Sequence, residues 1–304
     1  MNWPVGYTVA CSDDGKSIVC LGRNVVVIDA ERRQRASTSH PISNPSDVSF
    51  SSDGSHLAVK STSGRIVLID AKSGEVLRDY KNQKEGEGSQ VCFSPAGDEL
   101  IDGSWDGFIT VRPTGNGAAR MREAFPGEMI RRVSSDGDRL TWLFEHTPMA
   151  LPGEQHPPLT YVSVRRWPFA PSTTRSLTFP LHIENATISP DGSQFCFIQK
   201  WDDRRVHIAR ISDGEPCARS EPTISGGTGA ELAWSPDSRY IGSVQAGKFV
   251  FYRTVDMAVV GEVPCQYPSS VRFLPTGDQV ILGSWKSSGV FRMADVLAGS
   301  ATRA

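Results

Sequence analysis

One turn phrase, repeated seven times, constrains this chain more than any other feature. Each copy joins an apolar residue, a Ser- or Pro-containing turn that usually includes Asp-Gly, and a second apolar run. The copies read "ACSDDGKSIVCL" from Ala10, "SFSSDGSHLAVK" from Ser49, "CFSPAGDELIDG" from Cys92, "RVSSDGDRLTWL" from Arg132, "TISPDGSQFCFI" from Thr187, "AWSPDSRYIGSV" from Ala233 and "RFLPTGDQVILG" from Arg272. Taking the residue after the first apolar anchor as a marker places them at 12, 51, 94, 134, 189, 235 and 274, with intervals of 39, 43, 40, 55, 46 and 39. A near-fixed period of this length signals an array of like units.

The marker has the chemistry of a tight turn: Pro presets φ, Asp or Ser bonds nearby amides, and Gly accepts positive φ. Before it, Val48/Phe50, Val91/Phe93, Leu232/Trp234 and Val271/Phe273 alternate with other residues at the period of a strand. After it come further β-rich runs, such as "HLAVK" at 56–60, then "RIVLID" at 65–70 or "KFVFYR" at 248–253, and a less regular fourth such as "EVLRDY" at 75–80. Four short antiparallel strands per repeat describe a propeller blade, which cannot bury both faces alone and must stack radially. The expected fold is all-β: a seven-bladed β-propeller filling the whole chain, with blades near 5–38, 46–82, 89–125, 129–180, 184–221, 230–264 and 269–304. For closure, "NWPV" at 2–5 adds a brief edge strand, or the C-terminal "ADVLAGSATRA" completes the last blade.

These repeats resemble the WD40-repeat β-propellers from about Tyr7 to Asp295. The Ser-Pro-Asp-Gly turn is shared with other propeller families, and the departures matter. The Gly-His dipeptide is absent, and the Trp-Asp closing the third strand is reduced to Ile28-Asp29, Ile69-Asp70 and Arg112-Pro113 in the first three blades. The family's buried Asp–His–Ser/Thr–Trp network is therefore not expected, and apolar packing must do more of the stabilising. Trp105-Asp106 in "IDGSWDGFITV" falls in a second-to-third-strand hairpin, where Asp106-Gly107 fits a two-residue primed turn. Scaffold is the better reading of this pair than catalysis.

Composition excludes several classes. A formal charge of −2 makes no overall case for nucleic acid or anionic membrane, and no run approaches a membrane span of about 20 apolar residues. The six cysteines (11, 20, 92, 196, 217, 265) contain no C-x-x-C pair and read as free thiols of a cytoplasmic protein. A propeller enzyme gathers its groups where the innermost strands converge. The expected inner ring is Ala10, Ser49, Cys92, Arg132, Thr187, Ala233 and Arg272, with no acid or histidine. Asp47, Glu184 and Glu231 read as rim charges. His146 and His156, with Glu145 and Glu154, lack metal-ligand spacing, and no cofactor motif is present.

Surface remains. The fourth unit is enlarged by a Pro-rich excursion from His146 to Pro158 that carries Met149 and Leu151. Loops of the same class supply Trp105-Asp106, Trp201-Asp202 with Arg204, and Trp285-Lys286. Such aromatics beside charges match the make-up of interaction hot spots. A second face is marked by Arg165, Trp167 and Phe169. The expected function is a non-catalytic platform, monomeric by itself, that binds a protein or peptide as scaffold, complex subunit or dedicated inhibitor. The alternatives are a propeller hydrolase or lyase, or a small-ligand binder using Arg132 and Arg272 in the channel.

Overall fold

Alternation before each turn and near-continuous apolar runs after it resolve into seven antiparallel sheets arranged as the blades of a propeller. The computed structural model describes residues 4–29, 34–38, 42–80, 88, 90–150, 153–155, 157–169, 175–200, 204–222 and 231–299. The innermost strands are β1 (Thr8–Cys11), β5 (Pro45–Phe50), β9 (Gln90–Phe93), β13 (Glu128–Ser135), β17 (Ile183–Ile188), β21 (Leu232–Trp234) and β25 (Pro268–Phe273). Within every sheet the strands pair in chain order, so each blade is a meander from the axis outward.

Second and third strands are buried on both faces. β3 (Val25–Asp29) is buried at every position, whereas the outermost β8 (Val76–Tyr80) is not. Odd and even residues of one strand feed different junctions. In β6 (His56–Ser61), Leu57 and Val59 pack towards the first blade, while Ala58 packs towards the third. The core is accordingly divided into seven apolar clusters, one at each junction between neighbouring blades. Burying a side chain of Leu or Phe size contributes roughly 1.5–3 kcal/mol, so these junctions supply the packing that the repeat demands.

The turn is built from one Ser and one Asp. Ser51 Oγ donates to Asp53 Oδ1 (2.6 Å) and accepts from the His56 amide (2.9 Å), while the Gly54 amide reaches Ser51 O (2.9 Å). Ser12/Asp14, Ser189/Asp191 and Ser235/Asp237 repeat the device. The fourth blade departs from the expected alignment. There Asp136, not Ser134, takes the Ser position, its amide donating to Thr141 O (3.1 Å) and its Oδ1 accepting from Leu140 N (2.9 Å). A bulge between Ile130 and Arg132 accompanies the slip. The marker therefore moves to 136, and the inner-ring residue of this blade is Ser134 rather than Arg132.

Two further expectations are corrected. The hairpin between β10 (Glu99–Gly103) and β11 (Phe108–Pro113) is not a two-residue primed turn. Gly107 N returns to Ser104 O (3.1 Å), and only Gly107 is left-handed (φ 84°), which is a type I turn followed by a glycine bulge. A Cβ on Gly107 would sit 2.5 Å from Phe125 O.

Among the described residues no C-terminal strand completes the seventh blade. After β26 (Gln279–Ser284) and β27 (Ser288–Arg292) the chain turns into the short helix α1 (Met293–Leu297). Its Val296 is buried against Gly261 of β24 (Val259–Pro264), where a Cβ would meet Val296 O at 2.7 Å. From the other end, Gly6 bridges to Ser284 and Ser288 Oγ donates to Pro4 O, so the N-terminal segment seals the seam between last and first blades. Asn2 and Trp3 of the proposed edge strand lie outside the described residues.

Candidate functional site

With the fourth blade re-aligned, the residue four before each marker forms a second ring around the axis: Thr8, Asp47, Gln90, Arg132, Asn185, Glu231 and Ser270. Its members tie blade to blade. Asp47 Oδ2 accepts from Val91 N (3.0 Å), Gln90 Oε1 from Val133 N (2.7 Å), Glu231 Oε2 from Val271 N (3.0 Å) and Ser270 Oγ from Val9 N (3.2 Å). Arg132 has no acceptor to offer. At its junction the Ala186 amide is taken instead by Glu145 Oε2 (3.0 Å), from β14 (Thr141–Pro148). Asp47 and Glu231, expected as rim charges, are thus structural acceptors, and Glu184 pairs with Lys200 (2.8 Å) and Arg204 (3.8 Å). The signal was present in the sequence but was scrambled by the misplaced fourth marker.

Arg132 and Arg272 both line the channel, a cavity of about 620 Å³. Glu231 stands between them, at 3.5 Å from Arg132 Nη2 and 2.6 Å from Arg272 Nη2, and Arg132 Nη1 also donates to Asn185 Oδ1 (2.6 Å). Burial works against the charge on Glu231, but Arg272 and Arg132 outweigh it and hold the carboxyl below its ordinary value. Where the first strands end, left-handed Arg139 (φ 55°) reaches from the fourth blade to the first, donating to Asp13 Oδ1 (2.5 Å). Each end of the channel therefore carries an internal ion pair.

Asp47 and Glu145 differ from Glu231, because burial dominates and raises them to about 6 and about 7. A carboxyl whose native value is raised binds more protons folded than unfolded, so stability falls as pH rises from about 4 through the native value. Glu145→Gln keeps the acceptor for Ala186 N and removes the buried charge. At pH 8 the variant is expected to be more stable by about 3 kcal/mol at most, a rise in melting temperature of roughly 4 °C. The gain vanishes near pH 4. Calorimetry across pH 4–8 checks this, and a gain that does not change with pH would refute the assignment.

On the face bearing the second-to-third-strand loops, Trp285 is 53 % exposed, Tyr267 58 % and Val5 48 %. They meet at the seam between last and first blades. Trp285 N donates to Tyr267 O (3.1 Å), and the Trp285 indole stacks on Tyr7 at 4.4 Å and 18°. Lys286 is exposed, with its ammonium 6.0 Å from the Tyr267 ring. Trp105 is half-buried beside an exposed Asp106, and Met149 is exposed. Tyr267, Val5 and Tyr7 escaped the sequence reading because they sit in a blade connection and the N-terminal lead, which no repeat position marks.

Other expected surface residues are interior. β14 extends to Pro148 by pairing with the eight-residue β13, so His146 lies in a strand and the excursion starts later. His146 is buried, its Nδ1 3.0 Å from Glu128 Oε2 and its ring edge-on to Phe125 at 4.4 Å. Arg165 is buried too, clamped by Glu123 and set over the rings of Phe125 (5.5 Å) and Phe144 (5.8 Å). Phe169 is buried with Trp142, Phe144 and the half-buried Trp167, at ring separations of 4.9–5.7 Å. Trp167 and Phe169 pack into the apolar cluster between the third and fourth blades, which is how the Phe169 ring escapes water. Leu151, His156, Trp201 and Asp202 lie outside the described residues. Among the described residues no group of three His, Cys, Asp or Glu is placed to hold a metal, and no helix is long and apolar enough to cross a membrane.

No family model and no curated protein matches the chain. Among solved structures, it is similar to the β-propeller domain of Cps50 (Swd1) from Myceliophteria thermophila. The TM-score is 0.75 at 10 % identity, covering 95 % of this chain and 96 % of that one. At that identity the likeness speaks for the fold and not for the partners: this chain is a seven-bladed β-propeller.

Proposed function

We propose that the protein is a non-catalytic platform that binds a protein partner through the face carrying its second-to-third-strand loops. The observation behind this reading is the exposed cluster of Trp285, Tyr267 and Val5, backed by Tyr7. Large aromatics left in water at one place, braced by a stacked neighbour, are suited to burial against a partner at small conformational cost. Trp105, Asp106 and Met149 extend the same face, as secondary contacts. The channel alternatives are less well supported. General acid–base work needs a group free to exchange its proton with a substrate. Here Asp47, Glu145 and Glu231 are engaged as acceptors for amides of the next blade, and Glu231 already balances both channel arginines.

The test is affinity capture from lysate of the source cells with wild type and the Trp285→Ala/Tyr267→Ala double variant. Recovery of the specific partner is expected to fall at least tenfold, with the far-ultraviolet circular dichroism unchanged. Equal recovery by both proteins would remove this face from consideration.

A further inference from the structure

Among the described residues, the charged side chains on the hairpins beside the aromatic seam are cations. Lys286 stands on the hairpin after β26, and Arg23 on the equivalent hairpin of the first blade, next to Gly22, whose added Cβ would lie 2.5 Å from Val5 O. Both side chains belong to exposed residues, and neither makes an ion pair among the described residues. On two other blades the corresponding cation is matched internally: Lys248 of the sixth blade is bonded to Glu262 (2.6 Å), and Arg65 of the second to Asp79 (2.5 Å). The seam thus offers two free cations around an exposed Trp, Tyr and Val on a chain whose formal charge is −2.

We infer that the segment docking on this seam is an acidic peptide strand of the partner, its carboxylates facing Arg23 and Lys286 and an apolar or proline side chain lying on Trp285 and Tyr267. This rests on the platform reading and deepens it. Each element has a physical reason. Guanidinium and ammonium groups with no counter-charge favour carboxylates and speed encounter with them. The Trp285 ring, already held by stacking on Tyr7, gives up little freedom when covered. A basic segment would meet like charge at both edges, which costs affinity and supplies discrimination.

The test uses a phage-displayed library of random dodecapeptides selected on the whole protein, followed by anisotropy titrations of the leading labelled peptide. The expected result is enrichment of Asp and Glu around an aromatic or Pro. Arg23→Glu/Lys286→Glu should weaken binding at least tenfold and flatten its salt dependence, and Trp285→Ala should weaken it to a similar extent. Peptides that need Trp285 and Tyr267 but lack acidic residues and ignore the charge reversal would overturn the inference while leaving the platform intact. Peptides indifferent to Trp285→Ala and Tyr267→Ala would remove the platform face itself. A library with no enrichment, or self-association through Trp285 in sedimentation velocity, also counts against an acidic partner segment.

Discussion

Asp102→Ala is expected to cost about 3–5 kcal/mol, the usual penalty for leaving a buried charge without its partner. Lys60, on the second blade, is fully buried with its ammonium 3.3 Å from Asp102 Oδ2 and 2.7 Å from Gly103 O, both in the third blade. On its other side Asp102 holds Arg112 Nη2 at 3.1 Å, so one carboxylate serves two cations. Alanine would leave an ammonium in a site shielded from water, held only by a neutral carbonyl. Urea denaturation should show a large drop in midpoint with an unchanged slope. Adding Lys60→Met to Asp102→Ala should recover more than half of the loss, because the stranded charge, and not the missing bond, is the main cost. A loss below about 1 kcal/mol in the single variant would mean that water reaches Lys60.

Glu231→Ala should be the second most damaging change, at about 2–4 kcal/mol; the lower range reflects ion-pair side chains that remain 12–28 % exposed. It removes the counter-charge of Arg132 and Arg272 and the acceptor of Val271 N together. Glu231→Gln keeps an acceptor for the amide but not the charge, so the difference between the two variants separates these contributions. The pH dependence is opposite to that of Glu145. A carboxyl held below its ordinary value contributes stability that is present above about 4.5 and lost as pH falls through the native value. The wild-type advantage over Glu231→Gln should therefore persist from pH 5 to 8 and shrink in acid. Melting curves at pH 3, 5 and 7 read this directly, and an advantage that grows in acid would contradict the ion pairing.

Ser51, Asp53 and Gly54 could be read as a turn because their function there is local: all three act within six residues of chain. The same logic failed in the fourth copy, where "SSDGD" contains two overlapping candidates for the Ser position. Only the pairing of Asp136 with Thr141 chose between them. That slip of two residues put Arg132 in the wrong ring and concealed the set of acceptors that joins neighbouring blades. His146 and Arg165 read as loop and surface groups because a charged or titratable residue is exposed by default. They are interior because Glu128 and Glu123, from other strands, supply their partners.

The chain by itself determined the number of blades, most of the strands within them and, outside the fourth blade, the turns between first and second strands, since these follow from short-range periodicity and backbone preference. Tertiary structure alone decided which polar groups face one another. Lys60 meets Asp102, Arg139 meets Asp13, and Trp285 meets Tyr7 across separations that no local pattern encodes. Electrostatic pairing and solvent exclusion depend on distance in space. In a closed ring, residues from opposite ends of the chain become neighbours, so the exposed cluster of Trp285, Tyr267 and Val5 forms where that ring is sealed.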